Sequence, residues 1–355
     1  MLERIHKLVK RSTTPPESVI QLLEDTSIGT NGAVYQLLDT RKKIHLLHQP
    51  NFIYIERNAK AIGNVTVCQR PIQLNDADFD ALYIRYFAFN KLFQGGNTST
   101  KGNSNFHQYF KALFHTSNFN PVAAEEKKSM YWAYIDPANV RSFNMNTKFG
   151  FETIGHFKTT AFSRVSPKKS KRIETLSTAD REEVAQKIKD FYQGFDFFAD
   201  THLFEQDNYY VLRVGGEIIA GIQANPVHWK IKKLPGLSGK ILLKTAPIIP
   251  RLSKLIRPND HRFLATEGLF WKKGHEDFVV ELLEGVLAES RHYSLLIWTD
   301  LNNDMLNKLD LKWGFIQKTK PDNQIEIVAK FNGFSKEEIE RIKANKKYLS
   351  GFDMT

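Results

Sequence analysis

The sequence predicts an α+β chain in which one set of elements is built twice. Three observations carry this. The chain has 355 residues, 41% hydrophobic and 25% charged, a globular composition at a length that favours about two domains. The stretch YIDPANVRSFNMNTKFGF (134–151) returns as WTDLNNDMLNKLDLKWGF (298–315) at a fixed offset of 164. That offset matches Asp136 with Asp300, Asn139 with Asn303, Lys148 with Lys312, Gly150 with Gly314 and Phe151 with Phe315. The elements around the two copies also come in the same order, as a duplicated domain requires.

In the first half, NFIYIERNAKAIGNVTVCQ (51–69) alternates apolar and polar residues on either side of RNAK, and in the second NYYVLRVGGEIIAGIQA (208–224) does so around GG. Alternating runs split by Asn or Gly turn residues read as antiparallel hairpins. A third strand follows in each half, ALYIRYFAF (81–89) and HRFLATEGLF (261–270), then a polar loop and a helix, NFHQYFKALFH (105–115) and EDFVVELLEGVLAES (276–290). The second of these helices puts Phe278, Leu282, Leu283, Val286 and Leu287 on one face. A strand comes next, MYWAYID or YSLLIWTD, and then the repeated polar helix ending at Gly150 or Gly314 as a C-cap, with a last strand starting at the following Phe.

The predicted division is therefore a first domain over 1–165, a linker VSPKKSKR (165–172), a second domain over 173–332 and a tail over 333–355. In the tail, 335–349 reads as a charged helix with Ser335 as N-cap and Glu338 at capping-box distance.

Charge is concentrated rather than spread. Residues 225–262 hold nine Lys/Arg and one acid, so this single insert of the second domain carries +8 of the net +11. The rest of the chain is nearly neutral, which argues against a general nucleic-acid coat. Ile248, Ile249, Leu252, Leu255 and Ile256 recur at helical spacing among Arg251, Lys254 and Arg257, while Pro247, Pro250 and Pro258 limit any helix to short pieces. Two readings stay open: an amphipathic stretch lying on an anionic membrane surface or other anionic partner, or a lid packed on its own domain. No apolar run approaches membrane-span length and the N-terminus has no secretory pattern. The one cysteine, Cys68, forms no internal disulfide, and the histidines show no metal-ligand spacing. A cytoplasmic protein without a metal is expected.

This order and these motifs resemble the GNAT superfamily of N-acetyltransferases, over roughly 50–165 and again over 173–332. Family members carry a Q/R-x-x-G-x-G/A loop between a strand and a helix, and an Asn about eleven residues before a Gly-Phe. Asn139 and Asn303 stand eleven before Gly150 and Gly314. In IRYFAFNKLFQGGNTS (84–99), Gln94 takes the Q/R place, Asn97 the first Gly place and Ser99 the G/A place. In FLATEGLFWKKGHE (263–276), Gly274 sits at the first Gly, but Trp271 and Glu276 replace the other two. The resemblance implies two tandem domains, each a mixed, mostly antiparallel sheet flanked by helices. It also implies acetyl-CoA or another acyl-CoA as co-substrate and an amine-bearing small molecule or peptide as acceptor.

Small residues at a helix N-terminus let backbone N–H groups approach a diphosphate. The implied coenzyme contacts are Gln94, Gly95, Gly96, Asn97, Thr98 and Ser99 with Asn139 and Ser142 in the first half, and Gly274 and Asn303 in the second. Main-chain groups of Phe87, Ala88 and Phe89 would pair with the pantetheine arm, as an added strand does. Glu276 and Asp277 in the second loop repel a diphosphate, so the expectation places the coenzyme in the first half. Glu267 fits the place of a general base for the amine. Many family members set a Tyr four residues before the helix-terminal Gly, where this chain has Asn146 and Asp310. Three functions follow: an acyl-CoA-dependent N-acyltransferase, a GNAT-fold binding or scaffold protein that has lost chemistry, or an aminoacyl-tRNA or long-chain acyl transferase working near a membrane.

Overall fold

The computed structural model describes residues 6–29, 32–72, 79–90, 105–122, 127–309, 311–319 and 324–355. In chain order the first half gives β1 (Val9–Ser12), α1 (Glu17–Asp25), β2 (Val34–Leu37), α2 (Thr40–Lys43), β3 (Pro50–Arg57), β4 (Lys60–Gln69) and β5 (Asp80–Phe89). It continues with α3 (Asn105–Leu113), β6 (Ser129–Ile135), α4 (Val140–Phe149) and β7 (Glu152–Ser163). The second gives β8 (Ile173–Thr175), α5 (Arg181–Phe191), β9 (Tyr209–Val214), β10 (Glu217–Lys233), α6 (Gly236–Thr245), α7 (Leu252–Leu255) and β11 (His261–Trp271). It ends with α8 (Phe278–Ser290), β12 (Ser294–Asp300), α9 (Phe315–Thr319), β13 (Gln324–Asn332) and α10 (Lys336–Ala344).

Both hairpins are present. β3 and β4 turn at Asn58 and Ala59, which take φ of 51° and 58°, and β9 and β10 turn at Gly215 and Gly216, with φ of 60° and 87°. Two consecutive positive-φ residues give the turn twist that matches the strands.

The chain forms two compact units, and they do not follow the division at 165–172. Unit 1 takes residues 1–31, 36–155 and 325–343; unit 2 takes 32–35, 156–324 and 344–355. The reason is a strand exchange. In unit 1, β13 lies between β6 and β7, antiparallel to β6 from Glu326↔Ile135 to Asn332↔Ser129. In unit 2, β7 from Phe157 to Ser163 pairs antiparallel with β12, down to Asp300↔Phe157 and Ser294↔Ser163. Each half thus supplies the strand that completes the other half's sheet. The tail divides as well: Lys336–Lys343 belong to unit 1 and Ala344–Thr355 to unit 2.

Unit 1 orders its strands β1-β3-β4-β5-β6-β13-β7, and unit 2 orders them β7-β12-β11-β10-β9-β8. β5–β6 and β11–β12 pair in parallel and the other registers described are antiparallel, so each sheet is mixed and mostly antiparallel, with helices against it. In unit 1, Val65, Val67, Leu82 and Ile84 pack against Tyr109, Phe110 and Leu113 of α3. In unit 2, Leu212, Ile222, Leu264 and Leu295 pack with Leu282, Leu283, Val286 and Leu287, and Phe278 packs against the same cluster, the apolar face expected of α8, with Val279 added to it. The capping box of α10 is formed: Glu338 N donates to Ser335 Oγ at 3.2 Å and Ser335 N to Glu338 Oε2 at 2.8 Å.

Two elements differ from expectation. The repeated helix of the second half is reduced to a 3₁₀ turn over Met305–Lys308, and Phe315 opens the short helix α9 instead of a strand. The two Asn side chains differ: Asn303 Oδ1 accepts from Met305 N two residues on, at 3.0 Å, where Asn139 Oδ1 accepts from Ser142 N three residues on, at 3.2 Å. The insert is also shorter than 225–262, because β10 runs on to Lys233 and pairs with β11 as far as Trp229↔His261.

Candidate active site

Each unit breaks its sheet at the same place. In unit 2 the parallel pairing of β11 with β12 stops at Ala265↔Leu296, yet β11 runs on to Trp271 and β12 to Asp300. In unit 1 the pairing of β5 with β6 stops at Tyr83↔Trp132, and β5 continues to Phe89. Parallel strands that separate leave a wedge between them. In both units a β-bulge sits at the wedge, on the earlier strand. The register of β10 with β11 slips between Gly221↔Phe270 and Gln223↔Glu267, which puts the extra residue at Gly268–Leu269. The register of β4 with β5 slips between Thr66↔Tyr86 and Val67↔Ile84, which puts it at Arg85.

A bulge leaves backbone groups out of the ladder, and buried ones need other partners. In unit 2 three tyrosines supply them. Gly268 takes φ +57°; its N–H donates to Tyr348 Oη at 3.1 Å, and its carbonyl accepts from the Tyr209 hydroxyl at 2.8 Å. The Leu269 carbonyl accepts from the Tyr192 hydroxyl at 2.7 Å. Burial pushes all three hydroxyls well above the ordinary tyrosine range, with the Glu267 carboxylate adding to the effect on Tyr192 and Tyr348. They remain neutral O–H groups.

Glu267, the expected base, is 3% exposed, and its Oε1 accepts from Ser350 Oγ at 2.8 Å. The wedge beside it holds a cavity of about 30 Å³ lined by Glu267, Asp300, Asn303, Lys347 and Tyr348 among others. That volume admits one or two water-sized groups, not an acyl-pantetheine arm. The remainder of the wedge is filled by the tail. Lys347 N donates to Asp300 Oδ2 at 2.7 Å, Tyr348 N to the Asp196 carbonyl at 2.8 Å, and Gly351 lies so close to β11 that a Cβ there would be 2.1 Å from Thr266 O. Burial pulls the Lys347 ammonium below its usual range, while Asp300 and Asp196 act the other way.

The remaining expected site residues fall out as follows. Asn303 shares the cavity with Glu267 but spends its Oδ1 on Met305 N. Gly274 takes φ +85°, and its N–H donates to Glu276 Oε1 at 3.1 Å. The loop's own carboxylate stands where a diphosphate was considered, held below the usual range by hydrogen bonds from the Glu276 and Gly274 backbone. In unit 1, Phe87, Ala88 and Phe89 lie on β5 beyond its last pair with β6, with the Phe87 and Phe89 rings turned into the core. Asn139 is the N-cap of α4, its Oδ1 accepting from Ser142 N at 3.2 Å. Asn146 Nδ2 donates to Ser142 O at 2.8 Å. Gln94, Gly95, Gly96, Asn97, Thr98 and Ser99 lie outside the described residues, as does Asp310.

Near the unit 1 wedge, Asn64 is 2% exposed and faces Ala88 across the β4–β5 ladder. Its Nδ2 donates to Thr66 Oγ1 and, at 3.3 Å, to Tyr86 O. Its Oδ1 and the Tyr86 hydroxyl have no partner among the described residues.

Sequence reading missed the tyrosine clamp and the tail. One signal was available: Gly268, isolated within the strand ATEGLF, marks a bulge or a close backbone approach.

Two sheets broken by a bulge and a wedge, in tandem, give the fold of the GNAT superfamily. Solved structures share the fold. The chain is similar to N-myristoyltransferase of Saccharomyces cerevisiae with bound myristoyl-CoA, at 10% identity and a TM-score of 0.57, over 95% of this chain and 84% of that one. A second structure of that enzyme aligns at 11% identity and 0.53, over 92% and 83%. A GCN5-related N-acetyltransferase from Anabaena variabilis aligns at 10% identity and 0.47, over 92% and 73%. No family model and no curated protein matches the sequence.

Proposed function

We propose that the protein is an N-acyltransferase that carries an acetyl or longer acyl group from acyl-CoA to an amine. The acyl-CoA is held by unit 1. The observation that carries this is the open-ended strand: β5 leaves β6 at Tyr83 and runs six residues further to Phe89. A ligand amide chain can add to such an edge as a strand would. The unsatisfied Asn64 Oδ1 and Tyr86 hydroxyl nearby support a polar ligand there, since buried polar groups are normally paired. Beyond Phe89 the chain enters QGGNTSTKGNSN (94–105), which has three Gly and no acid, a composition suited to a diphosphate. Unit 2 is the poorer donor site, because its bulge N–H is bound by Tyr348 and its Gly274 N–H by Glu276.

In the reaction, the acceptor nitrogen loses its proton to a base and attacks the thioester carbonyl. The C–N bond forms, the C–S bond breaks and the thiolate leaves with CoA. No base is assigned to the unit 1 site: Glu267, the base expected from the sequence, belongs to unit 2, is 3% exposed and accepts from Ser350. A second reading, a binding protein without chemistry, is favoured by Asn146, whose amide is spent on its own helix where the family often has a Tyr.

Thermal shift with acetyl-CoA and with long-chain acyl-CoA tests the donor. Ligand at 100 times Kd stabilises by about 2.7 kcal/mol. Asn97→Asp removes the shift and Gly274→Asp leaves it. An unshifted protein with every acyl-CoA refutes the proposal; a shift without turnover of any amine supports the second reading.

A further inference from the structure

The basic insert has two faces with different chemistry. Its inner face is anchored: Ala246, Leu255 and Ile256 are buried in unit 2 with Ile231, Leu242, Leu252, Val165, Tyr293 and Ile316 packed around them. Within the insert the chain turns tightly into α6: a Cβ at Gly239 would lie 2.8 Å from the backbone of Leu234, just before the helix. Its outer face is apolar and exposed. Leu237 is 74% exposed, Ile241 53%, Ile248 79% and Ile249 43%. These are four of the eleven large hydrophobic residues exposed among the described residues, and they fall within thirteen positions. Ordinary packing does not account for them, because the residues that need burial are already turned inward.

Basic groups share that face. At 100° per residue Leu237, Lys240, Ile241 and Lys244 of α6 fall within about 100° of one another. Beyond the helix, Pro247, Ile248, Ile249, Pro250 and Arg251 are all exposed. Lys240, Lys244 and Arg251 form no ion pair among the described residues, and the segment's one acid, Asp260, is already paired with His228 and Arg262. Exposed aliphatic side chains flanked by unpaired cations match a surface that is apolar just below an anionic layer. No helix among the described residues is long and apolar enough to cross a membrane, so the geometry is that of a segment lying on a surface.

We propose that α6 and the 246–251 turn dock unit 2 on an anionic lipid bilayer. Leu237, Ile241, Ile248 and Ile249 enter the headgroup–acyl boundary, and Lys240, Lys244 and Arg251 meet the lipid phosphates and carboxylates. This is independent of the acyl-transfer reading; a failed docking test leaves that reading intact.

The test is co-sedimentation of the full chain with vesicles of phosphatidylcholine alone and with about one-third phosphatidylserine. The protein binds the anionic vesicles, releases at high salt and ignores the neutral ones. Lys240→Gln with Lys244→Gln weakens binding about 25-fold, at about fivefold for each cation near the surface. Leu237→Ser with Ile241→Ser weakens it about tenfold or more, since binding scales with the apolar area inserted. Both pairs are solvent-exposed, so urea midpoints stay at the wild-type value and binding losses are not unfolding. Equal binding to neutral vesicles, no binding to either, or unchanged binding in both double variants overturns the proposal. Capture by soluble polyglutamate without vesicle binding overturns it in favour of an acidic protein partner.

Discussion

Replacing Gly351 by Ala tests whether the tail truly fills the unit 2 wedge. Gly351 has φ −64°, so alanine meets no conformational penalty and the whole effect is steric. The new methyl carbon would stand 2.1 Å from Thr266 O, 2.9 Å from its carbonyl carbon and 3.1 Å from its nitrogen. These are backbone atoms in the middle of β11, paired to β10 at Ala224↔Thr266, and they cannot swing aside. Two responses are open. The tail can shift and strain its neighbours, at the ~1–3 kcal/mol of an overpacked core. Or it can leave, giving up the Tyr348–Gly268 and Ser350–Glu267 hydrogen bonds, each about 1–3 kcal/mol with a buried partner abandoned, and the burial of Tyr348, Leu349 and Phe352 at ~2 kcal/mol apiece. The second route costs far more, so the first sets the result at about 3 kcal/mol. Urea denaturation reads it, with Gly32→Ala as the control, since a Cβ there meets nothing within 4 Å. Hydrogen exchange of the Gly268 amide should also quicken. A Gly351→Ala protein within about 0.5 kcal/mol of wild type would refute the packing described for the tail.

Other expectations follow from the site and its supports. Glu267→Gln should leave acyl-CoA affinity in calorimetry and kcat for acyl transfer at wild-type values, since the carboxylate is enclosed within unit 2; a large loss of kcat with affinity intact would place Glu267 in the reaction. Asn139→Ala should cost about 1 kcal/mol in urea as a lost N-cap, and Asn139→Asp should recover it; acyl-CoA affinity falling in both would show a coenzyme contact beyond the cap. Lys330 is 5% exposed on β13 and donates to Phe149 O at 2.8 Å, at the end of α4. Burial, with Lys111 nearby, lowers its pKa from 10.5 to about 8. Between those values the unfolded chain holds a proton that the folded one has shed, so this group makes stability rise with pH from about 8 to 10.5. Wild type should therefore gain on Lys330→Met across that window in urea midpoints, and a flat or falling difference would reject the assignment.

How far the sequence could be read depends on the range of the force involved. Hairpins, strands and α8 were legible because their signals are periodic and local. The glycine pair shows the limit. Gly150 is the left-handed C-cap it was taken for, with its N–H on the carbonyls of Asn146 and Thr147. Gly314, its counterpart in the repeat, ends no α-helix; it takes φ +95°, and a Cβ there would be 2.2 Å from Ser163 O. The residue is the same and the constraint is different: close approach to β7. Glu267 was legible as a strand carboxylate, but the residues that enclose it come from 192–195, 297–306 and 347–350, which no local pattern connects. The strand exchange was equally hidden, because β13 and β7 have the same alternation whichever sheet they join.

That exchange has a consequence for synthesis on the ribosome. The unit 1 sheet has β6 in hand once residue 135 is made, but the strand that pairs along it ends at residue 332. At ~5–20 residues per second, the nascent chain carries an exposed edge on β6 for about 10–40 s. The first half of this protein is thus finished last. Its early strands depend on something in the cell, or on their own slow pairing, to keep that edge from other chains until β13 emerges.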